Sequence, residues 1–136
     1  MSIKNRLSFK RGKLGESGED YLEAIFILEK KASPVRVKEI ARFLGVSRPS
    51  VVEALQILKD KGLVKHEYYG GVELTAAGRL QADVIYKRHI ILERFLSEVL
   101  GVSARVAALD ACRLEHSLSE ETARRLWGFV VGKRKL

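Results

Sequence analysis

Between Cys112 and His116 the chain carries its only cysteine, a carboxylate and one of its three histidines. If the stretch Asp110-Ala111-Cys112-Arg113-Leu114-Glu115-His116 is helical, spacings of three and four put Cys112, Glu115 and His116 on one face. Thiolate, carboxylate and imidazole are ligands a first-row transition metal prefers, and together they suit iron, cobalt, nickel or zinc better than magnesium or calcium. A bland reading is equally open, with Cys112 a small buried hydrophobe, His116 a hydrogen-bonded core histidine and Glu115 a surface charge. Three clustered ligands suggest a site without completing one.

Other candidates lie far away in sequence. Asp20 and Glu23 share a face of a helix that Ser17 is placed to cap. Here Asp20 reads as the acidic partner of a capping box and Glu23 as a solvated charge. His89 falls on the apolar stripe of a long helix with Ile85, Leu92 and Leu96, so it points inward. Glu93 lies one turn on, a geometry that suits either a ligand pair or a histidine held by a carboxylate. Cys112 with His116 as nucleophile and base lacks an evident oxyanion hole or cleft, and the chain is read as no enzyme.

The elements that must position these residues follow from periodicity. Tyr21, Ile25 and Leu28 repeat at helical spacing; Val35-Arg36-Val37 is readable as a short strand. Val37, Ile40, Ala41 and Leu44 then form a helix that Gly45 ends. Ser47 caps the next helix, Pro49 sits in its first turn, and Val51, Leu55 and Leu58 form its buried stripe up to Gly62. Small Ala41, Gly45 at the tight turn and Val51 beyond are what two closely crossing helices require, a helix-turn-helix. Leu63 to Leu74 alternates about Gly70-Gly71 and predicts a β-hairpin with a two-glycine turn. A helix-turn-helix followed by a hairpin is a winged helix. Its third helix would present Ser47, Arg48, Pro49, Ser50 and Glu53 to the major groove, with Arg36 available for phosphate. Beyond Thr75 the pattern is all helical: a long helix to about Leu100, one from Ser103 with Val106, Leu109 and Cys112 inside, and one from Ser119 with Ala123, Leu126, Trp127 and Val130. The fold class expected is mainly α, an N-terminal winged helix-turn-helix followed by an all-helical domain. The boundaries are a basic arm at 1–17, a winged helix at 18–75 and a helical domain at 76–136.

Bulk properties agree with a DNA-binding chain. The 136 residues, 46% hydrophobic and 31% charged, can bury one ordinary core or two small ones. No apolar run spans a bilayer, no signal peptide is readable, and a lone cysteine excludes an internal disulfide framework, so a cytoplasmic protein without a membrane partner is expected. The net charge of +8 points to a polyanion, most simply double-stranded DNA. Lys4, Arg6, Lys10, Arg11 and Lys13 at one end, and Lys133, Arg134 and Lys135 at the other, read as phosphate-binding arms or equally as solubilising tails. The apolar stripes after residue 76 are more than one copy can cover, which predicts a homodimer.

From about Gly18 to Val130 the chain resembles the diphtheria-toxin-repressor and manganese-transport-regulator family of metal-dependent transcriptional regulators. The resemblance rests on Glu19-Asp20-Tyr21-Leu22-Glu23, on Ser47-Arg48-Pro49-Ser50-Val51 in the helix-turn-helix, on Leu74-Thr75 with Gly78 after the wing, on Tyr86-Lys87-Arg88-His89 and on Ala111 to His116. It implies a winged helix followed by a helical dimerisation domain with metal bound between them. It also implies Asp20, Glu23, His89, Cys112, Glu115 and His116 as metal ligands. Glu93 matches a ligand of a second, ancillary metal, although the histidine that completes that site in iron-type members is Ala108 in this chain. The SH3-like domain of longer iron-type members is expected to be absent. The thiolate resembles the iron-responsive branch and Asp20 the manganese-responsive one. Since sulfur favours iron(II) over manganese(II), iron(II) is the expected activator and manganese(II) the second choice. Cobalt(II), nickel(II) and zinc(II) are expected to bind in vitro. The function expected is metal-dependent repression of metal-uptake or homeostasis genes. The alternative is a metal-independent winged-helix regulator that senses a small molecule or redox state through Cys112.

Overall fold

The first helix, α1 (Leu14–Glu29), starts ahead of the expected cap. Ser17 lies inside it, the helix continuing through Gly15 and Gly18 although each glycine costs about 1 kcal/mol of propensity. Asp20 therefore has no capping box to serve. The computed structural model describes residues 14–67 and 70–134, so most of the expected N-terminal arm lies outside the described residues, as does Lys135. The described residues fall into two compact units, up to Val84 and from Ile85 onward.

In the first unit, α2 (Val37–Leu44) opens with the Glu39 carboxylate accepting from the Arg36 backbone N–H at 2.8 Å. It closes at Gly45, whose φ of 72° is the left-handed conformation that glycine adopts without a Cβ penalty. Helix α3 (Arg48–Asp60) is capped as read from sequence: Ser47 Oγ accepts from the Ser50 backbone N–H at 3.2 Å, and Pro49 sits in the first turn. Val51, Leu55 and Leu58 are its buried stripe. They meet Leu22 and Ile25 of α1 and Ile40 and Leu44 of α2 in one core. Truncating a fully buried leucine such as Leu55 to alanine would cost about 2 to 5 kcal/mol.

The hairpin is present, with a correction to its turn. Strands β1 (Val64–His66) and β2 (Val72–Leu74) pair antiparallel with Val64 opposite Leu74 and His66 opposite Val72. The ladder leaves residues 67–71 as the loop, of which 68 and 69 lie outside the described residues, instead of a two-glycine turn. Gly71 is used differently: a Cβ there would collide with the Pro34 ring. This close approach lets Val35 form an isolated bridge with Val72, while Val37, expected in a strand, already begins α2. Glu29 ties the base of the wing to its neighbours, accepting from Leu74 N–H at 3.4 Å and pairing with Arg79 at 2.8 Å.

Thr75 caps α4 (Ala76–Arg94), its Oγ1 accepting from Gly78 N–H and donating to the Gly62 carbonyl. The long helix expected to about Leu100 changes winding to a π-helix over Phe95–Val99. In the second unit, α5 (Ala104–Leu114) turns Ala107, Ala108, Ala111 and Cys112 inward. Val106, expected inside, is exposed, because the alanine face permits the closer approach to the rest of the unit. Helix α6 (Glu120–Arg134) is held by Val130 and by an edge-on contact of Phe129 with Phe95, centroids 6.2 Å apart. Among the described residues, no helix is long and apolar enough to cross a membrane.

Candidate metal centre and DNA-reading helix

Three side chains of the second unit converge in its interior. Cys112 is near the end of α5, and Glu115 follows at the helix end with φ −57° and ψ −30°, so the helical spacing continues through it. His89 comes from α4, one residue of the inward stripe that includes Ile85 and Leu92. His89 Nδ1 lies 2.8 Å from Glu115 Oε1 and 3.8 Å from Cys112 Sγ. The ligand atoms of these three buried residues all fall within 4.8 Å of one another. With metal–ligand bonds of about 2.0 to 2.3 Å, ligands of one ion lie at most ~4.6 Å apart, which the 2.8 and 3.8 Å separations satisfy.

His116 is beside them, its side chain fully buried and its Nε2 3.5 Å from Glu115 Oε2. Glu93 contacts the other nitrogen of His89, Nε2 to Oε1 at 3.2 Å. Both ring nitrogens of His89 thus face carboxylates; a neutral imidazole has one N–H, so Nδ1 can offer a lone pair to a metal only with the proton at Nε2, where Glu93 accepts it. Sequence spacing alone found Cys112, Glu115 and His116. The approach of His89 from another helix is a long-range contact that only the resemblance supplied.

Asp20 and Glu23 belong to α1 of the first unit, and both are 0% exposed. The bland readings are thereby overturned, since neither is a solvated or capping carboxylate. Asp20 Oδ2, Glu23 Oε2 and Glu115 Oε2 are buried oxygens that accept no hydrogen bond, although each residue makes other polar interactions. Buried carboxylate oxygens of this kind are costly unless a proton or a cation reaches them. The donor set of nitrogen, sulfur and carboxylate oxygen thus fits a divalent transition metal. Next to Asp20, burial first, and then the charges of Asp20 and Glu53, hold the Tyr21 phenol above its ordinary pKa.

The residues assigned to DNA stand on the open side of α3. Arg48, Pro49, Ser50 and Glu53 are exposed, and Arg36 is exposed at the start of α2. Ser47 is exposed as well, but its hydroxyl is engaged locally, donating to Ser50 Oγ at 2.9 Å. It therefore fixes the first turn of the helix. Val52 and Gln56 share this exposed surface. Sequence reading passed over both; an apolar residue at a position the α3 stripe leaves polar was the signal for Val52.

A family model described as iron dependent repressor, N-terminal DNA binding domain, matches residues 13–72. A second, described as iron dependent repressor, metal binding and dimerisation domain, matches residues 75–131. The chain is 36% identical over 118 residues to the HTH-type transcriptional regulator MJ0568 of Methanocaldococcus jannaschii, covering 86% of this chain and 94% of that one. It is 42% identical over 104 residues to the transcriptional regulator MntR of Escherichia coli O6:H1, covering 76% of this chain and 66% of the relative. Among solved structures it resembles the manganese regulator SloR, with a TM-score of 0.74 and 33% identity over 83% of this chain and 53% of that one. The chain thus spans nearly all of one relative, just under two thirds of another and about half of the solved structure.

Proposed function

The chain belongs to the iron-dependent repressor family, that of the diphtheria toxin repressor and the manganese regulator MntR, and on that premise we propose that it is a metal-dependent repressor of metal-uptake or homeostasis genes, activated by iron(II). The buried meeting of His89, Cys112 and Glu115 within one unit carries the reading. Asp20, Glu23 and His116 complete the proposed ligand set. A divalent cation would supply positive charge to the buried carboxylates that hold it.

The chain's own residues then have defined tasks. With a metal bound, His89 would offer Nδ1 while Glu93 holds the proton at Nε2, the two carboxylates beside the ring fixing its orientation. Cys112 gives up its proton to act as thiolate, which makes binding weaken as pH falls. Glu115 places Oε1 beside the imidazole nitrogen and Oε2 toward His116. In the first unit, Ser47 and Gly45 fix the angle of α3, and Arg48, Ser50 and Glu53 face the major groove of double-stranded DNA, with Arg36 on phosphate. Leu100, Val106, Leu114, Trp127 and Phe129 leave an exposed apolar surface on the second unit that a second copy of the chain covers. In a homodimer the two α3 helices read half-sites about 34 Å apart or a multiple of that. The protein acts in the cytoplasm, where its DNA is.

Cobalt(II) tests the site directly. A cobalt–thiolate bond produces an intense near-ultraviolet charge-transfer band that oxygen and nitrogen ligands do not. The band is expected in the wild type and lost in Cys112→Ser; its absence in the wild type removes the sulfur from the ligand set. Iron(II) is expected to activate DNA binding at lower concentration than manganese(II), because the thiolate favours it. The reverse order reassigns the protein to manganese.

A further inference from the structure

Helix α3 keeps one large hydrophobic side chain in solvent among its described residues: Val52, 48% exposed. Its inner stripe of Val51, Leu55 and Leu58 is already complete. Val52 lies outside that stripe, with exposed Arg48 one turn before it and exposed Gln56 one turn after. A β-branched residue at an exposed helical position is not there for helix stability, since lysine, glutamine and glutamate all have better propensity. Its place is the second turn from the N-terminus of the helix, roughly 6 Å along the axis from Arg48, within the part that meets base edges in this docking geometry. The major groove offers one apolar feature, the C5 methyl group of thymine.

We propose that Val52 is a specificity-determining residue that reads thymine, its γ-methyl groups packing on the thymine methyl in each half-site. The inference rests on the proposed DNA-binding function and assigns part of its sequence preference. Valine suits the task because its χ1 is already restricted to one main rotamer in a helix, so little side-chain freedom is lost on contact. Arg48 and Ser50 supply polar contacts on either side, and Glu53 lies next to Val52 on the exposed face. This arrangement surrounds one apolar contact with groups that reach phosphates or base edges. Removing either member of the pair, the valine methyls or the thymine methyl, removes the same contact, so the two losses must not add.

The experiment uses the full-length protein loaded with iron(II) under anaerobic conditions and a duplex selected by it from random-sequence DNA. Each thymine of the selected site is replaced in turn by deoxyuridine, which lacks only the methyl group, and affinity is measured for the wild type and for Val52→Ala. The expected result is one symmetry-related position at which deoxyuridine weakens wild-type binding about fourfold per half-site, as loss of one buried methyl predicts. Val52→Ala should bind the unmodified site more weakly and be insensitive at that position. Uniform insensitivity of the wild type to deoxyuridine overturns the proposal while leaving the DNA-binding function intact. Equal sensitivity in Val52→Ala overturns it as well, since another residue would then read the methyl. Failure to select any sequence removes both this inference and the function on which it rests.

Discussion

Replacing Glu115 with glutamine separates a metal ligand from a structural ion pair, because the two roles predict opposite changes. Glutamine has nearly the same shape, and its carbonyl can still accept a hydrogen bond from His89 across the 2.8 Å gap. Glu115 is 1% exposed, so its charge is held away from water. If Glu115 is a ligand in a cluster of buried carboxylates, removing its charge leaves the metal-free protein as stable as before or more so. Metal at one hundred times its dissociation constant stabilises the wild type by about 2.7 kcal/mol; loss of one ligand that weakens binding ~100-fold leaves only about 0.4 kcal/mol. For a chain of this size these correspond to melting shifts of roughly 8 to 12 °C and 1 to 2 °C. Thermal melting followed by circular dichroism, with chelator and with manganese(II), measures both numbers. If the His89–Glu115 contact were instead a buried structural ion pair, breaking it would cost about 3 to 5 kcal/mol without metal. A large fall in the chelated melting temperature together with an undiminished manganese shift would make Glu115 a structural partner of His89 and not a ligand.

The remaining predictions concern the framework. Gly78→Ala should destabilise the first unit by ~1 to 3 kcal/mol in urea melts, since a Cβ there meets the Leu63 carbonyl oxygen, backbone that cannot swing aside; an unchanged midpoint would contradict this packing. Ser47→Ala should cost about 1 kcal/mol through loss of the cap and should lower DNA affinity through a frayed first turn of α3, measured by fluorescence anisotropy. Val106→Glu places a charge on the exposed apolar surface of the second unit and should shift sedimentation from dimer to monomer at micromolar concentration with the circular dichroism spectrum unchanged. Cobalt(II) affinity should fall with decreasing pH, because histidine and thiol must be deprotonated to bind; a pH-independent titration would exclude Cys112 and His89 as ligands.

Local chemistry made the DNA-binding half readable from the chain. Ser47 three residues before Ser50, Pro49 in the first turn and Gly45 at a position needing positive φ each determine one backbone conformation within a few residues, and the structure has all three. What sequence misplaced depended on contacts between distant segments. Gly71 looked like a turn residue, yet its missing side chain serves the approach of Pro34. Ser17 looked like a cap because its type suits one, but the chain is already helical at Leu14. On α5, hydrophobicity pointed to Val106 as the inner residue, whereas close packing selects Ala107, Ala108 and Ala111. The candidate site divides the same way. Cys112 and Glu115 share a face by helical spacing, but nothing local announces that His89 comes within 2.8 Å of that carboxylate.

Under the proposed function metal occupancy controls sequence-specific DNA binding, and one selection tests this. Random-sequence duplex DNA is passed over the full-length protein loaded with iron(II) under anaerobic conditions, and separately over the same protein held in chelator, each for several rounds. Enrichment of a twofold-symmetric sequence by the loaded protein alone is expected, with binding to it lost when chelator is added. Enrichment of the same sequence in chelator, at the same affinity, would contradict it.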